Sequence, residues 1–270
     1  MNIGIISLGL IGGSILKALK HTEHAITCVT RNEQTRNKVI NDKLAWCCSD
    51  SIKDLKSCNV VFVASPIFRI PEILDQLEDI VSTDCIVLDC GSVKEYIMKK
   101  ERSYKFIGSH PMAGKELSGF ENSDTYLFRQ AKWVLCPQYN IQPNDLQIVY
   151  SLIKEMGAIP LIVGPKEHDE AVALISHMPL LLSEALLQSA KGNKLALKLA
   201  SSGFRDMTRI CMTNLGMALD MRKYNQYINK AVDELLKSIE FLYDNTSMEV
   251  IEDLKKLRQS MYNTEGKNIL

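Results

Sequence analysis

Ile3-Gly4-Ile5-Ile6-Ser7-Leu8-Gly9-Leu10-Ile11-Gly12-Gly13-Ser14 changes its period halfway along. Ile3 to Ile6 is a short apolar run that suits a buried strand, and from Gly12 to Lys20 the apolar residues recur at helical spacing. A strand, a glycine-rich turn and a helix in that order form the first unit of a doubly wound sheet. Small residues at such a turn let the chain reverse tightly, let a pyrophosphate approach the backbone and let helix pack on strand. The helix N-terminus then offers N–H groups and a positive dipole to phosphate. Ser7 stands where the G-x-G-x-x-G pattern has its first glycine, so the turn is expected to form at some steric cost. Without a ligand the same stretch is simply a glycine-rich turn. Ser7, Gly9, Leu10, Ile11 and Gly12 are the candidate cofactor contacts it supplies.

Working outward, the alternation continues. Ala25–Val29, Val60–Ala64, Cys85–Asp89, Phe106–Gly108, Trp133–Cys136 and Ile159–Val163 read as strands alongside Ile3–Ser7. Arg31–Asn41, Pro71–Val81 and Asp145–Met156 read as helices. This βα alternation argues for an α/β fold: an N-terminal Rossmann-type doubly wound, mostly parallel sheet. From about Pro165 no β-rich run remains, and helical spacing carries through Ala171–Ala190, Leu195–Ala200, Leu215–Ala231 and Leu235–Met261. Residues 1–165 are therefore expected to form a dinucleotide-binding domain and residues 166–270 an all-helical domain, with Asn263–Leu270 as a frayed end.

Composition narrows the class. The 270 residues carry Lys+Arg 32 against Asp+Glu 32, so no global charge attracts nucleic acid or an anionic membrane. The longest apolar candidate, Ala171 to Leu182, is interrupted by His177 and Pro179 and falls short of the roughly 18 residues of a membrane helix. The chain begins directly as a strand with no basic leader, and its eight cysteines lie mostly in apolar runs without metal spacing. A cytoplasmic protein with reduced thiols and no metal is expected.

Three further groups carry chemistry. After the second strand, Thr30-Arg31-Asn32 offers a guanidinium where NAD-binding chains usually place an acid, which favours NADP, NAD remaining possible; alternatively Arg31 is merely solvated. Ser65-Pro66 follows the strand Val60–Ala64 and belongs to the same cofactor edge. Asp89-Cys90-Gly91-Ser92-Val93-Lys94 and Ser109-His110-Pro111-Met112-Ala113-Gly114 each follow a strand, at the edge where an open parallel sheet binds ligands. His110 there can exchange a proton near neutral pH, Ser92 could orient it, and Lys94 could meet a carboxylate or cap a local helix. Finally, Ser201 to Arg209 sets Arg205 and Arg209 four apart, two guanidinium forks suited to a dicarboxylate or else an Arg–Asp network with Asp206. His177, in Ser176-His177-Met178-Pro179, reads equally as a core histidine or a ligand contact.

Together the Gly9–Ser14 turn, Gly91 to Lys94, Ser109 to Gly114, His168-Asp169, Ser176 to Pro179 and Ser201 to Arg209 span nearly the whole chain, and in this combination and order it resembles the prephenate/arogenate dehydrogenases. It is most similar to the short single-function members. The resemblance implies oxidation of a cyclohexadienyl substrate at ring C4, with hydride passing to a nicotinamide and the ring carboxylate leaving as CO2. It further implies that His110 takes the C4 hydroxyl proton, that Ser92 supports that bond and that Arg209 binds a substrate carboxylate. Arg205 and Asp206 would stand near the side-chain end of the substrate, and the helical domains would pair into a homodimer. Lys115 replaces the threonine typical of the family, where it either favours a dicarboxylate or pairs with Glu116. Rival readings are another Rossmann-plus-helical reductase, for which no placed catalytic lysine is found, and a non-catalytic NADP-binding regulator, which would not need His110, Ser92 and Arg209 together.

Overall fold

The computed structural model describes residues 1–245 and 247–262; the end predicted to fray, Asn263–Leu270, lies outside them. Among the described residues, eight strands form one sheet: β1 (Asn2–Ile6), β2 (Ala25–Val29), β3 (Cys47–Ser49), β4 (Val60–Val63), β5 (Ile86–Asp89), β6 (Lys105–Pro111), β7 (Lys132–Pro137) and β8 (Ile159–Ile162). Their order is β3-β2-β1-β4-β5-β6-β7-β8. The order reverses between β1 and β4, and the crevice outside the carboxyl ends of those strands is the switch point where such sheets bind ligands. All pairs are parallel except β6 with β7, which is antiparallel.

That exception moves a boundary. Phe106–Gly108 was expected to be a short strand with His110 in the following loop, but pairing with β7 carries β6 on to Pro111, with His110 opposite Val134. The catalytic candidate is thus held by a strand near its end. The strand β3 was not expected at all: three half-buried residues give no legible alternation.

Helices cover both faces. On one, α1 (Leu10–Leu19) and α2 (Glu33–Asn41) bury Ile15, Leu16, Leu19 and Val39 against Ile3, Ile5 and Phe62, and Val149, Leu152 and Ile153 of α5 (Pro143–Glu155) extend that core to Trp133. On the other, α3 (Ile70–Leu77) and α4 (Lys94–Ile97) bury Ile70, Leu74, Leu77 and Ile97 against Val61, Val63 and Val87. The parallel strands are apolar on both faces, as a sheet covered on both sides requires.

After β8 the chain is helical: α6 (Pro165–Val172), a π-helical turn at Ala173–His177, α7 (Met178–Ala190), α8 (Lys194–Leu199), α9 (Ser202–Thr208), α10 (Leu215–Tyr224), α11 (Ile228–Asp244) and α12 (Met248–Met261). Pro179 has no N–H to give the Ile175 carbonyl, and the helix widens there instead of breaking. Contrary to the expected interruption, Pro165–Ala190 is one continuous helix long and apolar enough by length and composition to cross a membrane, 28% of its apolar window being buried. Among the described residues, the helical part contributes one small buried apolar cluster, Leu180, Ala218 and Met221.

Candidate active site

At the carboxyl end of β1, Ser7 adopts φ +69°, a left-handed conformation that glycine takes freely and serine does not. Its hydroxyl lies 2.6 Å from that of Ser65, just past β4, so the two rims of the crevice are tied together. A Cβ at Gly12 would fall 2.0 Å from the Ser7 carbonyl oxygen, so only glycine lets α1 approach the turn. A Cβ at Gly9 would meet nothing within 4 Å, which leaves the backbone open to a large ligand at the N-terminus of α1. Asn32 is occupied as the N-cap of α2, accepting from the Thr35 N–H at 2.9 Å, while Arg31 beside it is exposed. The open backbone at Gly9 and the exposed Arg31 are features that would suit a dinucleotide.

Deeper at the same sheet edge, His110 leads into a buried chain. Its Nδ1 lies 2.9 Å from Nε2 of His168, whose Nδ1 lies 2.7 Å from Asp169 Oδ1. The Asp169 carboxylate also accepts the N–H groups of Lys94, at 2.7 Å, and Glu95, at 2.9 Å, so it caps α4. An acceptor at that end fixes the tautomers: His168 donates from Nδ1 to Asp169 and accepts at Nε2, so His110 donates from Nδ1. The lone pair of His110 Nε2 is left free to take a proton. Desolvation holds the His110 imidazolium well below its ordinary range, helped by His168, Lys94 and His177 nearby, so the ring is neutral at neutral pH.

Two further buried polar atoms, on Ser92 and His177, have no partner. Ser92 Oγ, three residues past β5, is buried without a partner. His177, placed by the π turn, accepts the Asn225 side-chain N–H at Nδ1, 3.0 Å away, which puts its proton on a buried and unpartnered Nε2. Burial lowers the His177 pKa to about 4. A buried hydroxyl and a buried N–H left unpaired are costly unless a ligand completes them. Asn225, which also donates to the Asp169 carbonyl at 2.9 Å, was not read from the sequence, where a polar residue after a helix carries no distinguishing signal. His168 and Asp169 appeared there only in the family pattern, with no role.

Other expectations are corrected. Lys94 does not reach a substrate carboxylate: it is fully buried, ion-paired with Asp89 and donating to the Ser109 carbonyl at 2.6 Å, a polar plug beneath the site. Lys115 neither enters the crevice nor pairs with Glu116. It pairs with Asp124 at 2.7 Å and, with Lys17, Lys20 and Lys38, lines a separate cleft of about 650 Å³. Arg205 and Arg209 do not converge as a clamp. Arg205 turns to Asp206 at 3.2 Å, and Arg209, in a 3-10 turn after α9, pairs with Glu116. Both guanidiniums are largely exposed, so each can exchange its partner for a ligand.

A family model described as the prephenate dehydrogenase nucleotide-binding domain matches residues 14–161, and one described as the prephenate dehydrogenase dimerization domain matches residues 164–261. A prephenate dehydrogenase of Lactococcus lactis is 31% identical over 282 residues, covering 95% of this chain and 76% of that protein. Synechocystis arogenate dehydrogenase has a TM-score of 0.81 at 32% identity, with 96% of this chain and 97% of that one covered. The Aquifex aeolicus prephenate dehydrogenase, crystallised with hydroxyphenyl propionate and NAD+, has a TM-score of 0.81 at 26% identity, with 96% of each chain covered.

Proposed function

Because the chain belongs to the prephenate dehydrogenase family, we propose how its own residues divide the family's work. It is an NAD(P)-dependent dehydrogenase of tyrosine biosynthesis, acting on prephenate or arogenate. The observation that carries the assignment of roles is the chain His110–His168–Asp169, ending in a free Nε2 at the carboxyl edge of the sheet.

The reaction removes a hydride from ring C4 and CO2 from the ring carboxylate, and the ring becomes aromatic. The nicotinamide, when bound, supplies the hydride acceptor. His110 Nε2 accepts the proton of the C4 hydroxyl as the C–O bond gains double-bond character. His168 and Asp169 hold that ring in the accepting tautomer and stabilise the charge it gains. Ser92 Oγ completes its hydrogen bonding on the same hydroxyl. The His177 Nε2–H meets a substrate oxygen, and Arg209 leaves Glu116 to hold a substrate carboxylate.

NADP is the preferred cofactor in this reading, since Arg31 is exposed beside the ribose position with no acid before Glu33. Prephenate is the preferred substrate, since Arg205 and Arg209 give this end of the site a basic character that suits a keto acid better than an ammonium group. The helical domains pair into a homodimer. Leu174, Ile175, Leu199, Leu215 and Phe241 are exposed, and so much apolar helix surface is covered in a stable protein.

The test crosses prephenate and arogenate with NAD and NADP and follows the absorbance of the reduced nicotinamide. Fastest turnover with prephenate and NADP is expected. No reduction in any combination, with cofactor still bound, would send the assignment to a non-catalytic binding protein.

A further inference from the structure

The outer edge of the sheet carries two thiols that dehydrogenation does not use. Cys28 on β2 and Cys48 on β3 are direct register partners in parallel strands, so their side chains share a face. Neighbouring strands lie about 4.8 Å apart, inside the roughly 4.4–6.8 Å between Cα atoms that a disulfide spans. Both pack in the same apolar cluster, Cys28 fully buried and Cys48 partly exposed on a three-residue edge strand.

Their surroundings divide the labour. The approach of the two sulfurs, and then the Arg36 guanidinium, lowers the Cys48 pKa, while the same approach and burial raise that of Cys28. Arg36 is fixed there by the Thr30 carbonyl, 2.9 Å away, and by Asp50. Elsewhere burial works against reactivity, pushing Cys58 up to about 11 and Cys85 and Cys136 up to about 12. Cys47, facing the other way, is raised by burial and by Asp54.

We propose that Cys28 and Cys48 form a reversible disulfide, with Cys48 the thiol oxidised first and a hydroperoxide the oxidant. The Cys48 sulfur attacks the peroxide: an S–O bond forms, the O–O bond breaks, and the departing oxygen takes up the proton lost from the Cys48 thiol and leaves as an alcohol, or as water from hydrogen peroxide. The Cys28 sulfur then attacks the sulfur of the Cys48 sulfenic acid, releasing its own proton. An S–S bond forms, the S–O bond breaks, and water leaves. Two electrons pass from the thiol pair to the peroxide, and a dithiol reverses the change. The cross-link pins β3 to β2 one residue before Ser49, whose carbonyl holds the Thr30 N–H at 2.9 Å at the cofactor edge.

The enzyme is treated with a small excess of hydrogen peroxide, denatured, alkylated with iodoacetamide, digested and mapped by mass spectrometry. A peptide pair joined through Cys28 and Cys48, two hydrogens lighter than the dithiol and restored by dithiothreitol, is expected. In Cys28→Ser, dimedone should label Cys48; in Cys48→Ser, loss of the Cys28 thiol should slow more than tenfold. Sulfenic acid or a cross-link on Cys47 or Cys211 instead, or full alkylation of both Cys28 and Cys48 after peroxide, overturns the proposal.

Discussion

His168 Nε2 stands 2.9 Å from His110 Nδ1, the two rings meeting edge-on at a 78° angle. They come from different parts of the fold, His110 from β6 and His168 from α6, the first helix after the sheet. The bond therefore fixes one tautomer and also sets the position of the helical part against the strand edge. Asp169 does the same one residue on, by capping α4.

His168→Leu removes the acceptor that fixes the His110 tautomer and one of the groups that lowers its pKa. Turnover should fall by about 10²–10³, within the range of general-base effects, with the substrate KM changed less than about threefold. The acid limb of the kcat–pH profile should also move up towards 6.5, the ordinary histidine value. A kcat loss with an unmoved limb would reduce His168 to a packing role.

Ser7 combines a strained backbone with a compensating bond to Ser65. The left-handed conformation costs roughly 1–2 kcal/mol and the hydroxyl pair contributes about 1 kcal/mol, so the two nearly cancel. Ser65→Ala should therefore destabilise by about 1 kcal/mol, and Ser7→Gly should change stability little by itself. In the Ser65→Ala background Ser7→Gly should stabilise by about 1–2 kcal/mol. Urea unfolding of the four proteins of this cycle decides it; the same effect of Ser7→Gly in both backgrounds removes the coupling.

The strands and the glycine turn were legible because buried parallel strands write themselves as apolar runs between small residues. What escaped was set by partners distant in sequence. The extension of β6 through His110 depends on β7, some two dozen residues later, and a proline within the strand argues locally against it. Lys94 read as a cation available to substrate because nothing local shows that it folds back onto Asp89. Arg205 and Arg209 have the spacing of a clamp, yet each takes a carboxylate of its own, Asp206 and Glu116, which spacing alone does not reveal. His177 was visible as a residue but not as an unpaired donor, since the π turn and Asn225 together create that state.

Arg209 and Glu116 form an exposed pair whose opening would deliver the guanidinium to a substrate carboxylate. Arg209→Ala should raise the substrate KM by more than about tenfold, the loss of a charge-assisted bond of about 1.5–3 kcal/mol, with the cofactor KM unchanged. Glu116→Gln should leave the substrate KM equal or lower, since the competing partner is gone. Steady-state kinetics in both substrates checks this. An unchanged substrate KM in Arg209→Ala would remove Arg209 from the binding site.

His177 makes stability depend on pH in a direction that can be worked out. Unfolded, it takes a proton below its ordinary value of 6.5, whereas folded it remains neutral down to about 4. Between those values the unfolded state binds more protons, so stability rises with pH. The contribution is complete above 6.5 and is lost as pH falls towards 4, amounting to about 3 kcal/mol at 1.36 kcal/mol per pH unit. His110, held neutral by the same burial, adds loss in the same direction. In His177→Gln the pH-dependent part assigned to His177 should vanish, so the stability gap to wild type should narrow as pH falls from 7 towards about 4.5. Urea midpoints across that range measure the gap. A gap that stays constant with pH would mean that His177 titrates alike in both states, and that its buried Nε2–H is not a neutral donor reserved for substrate.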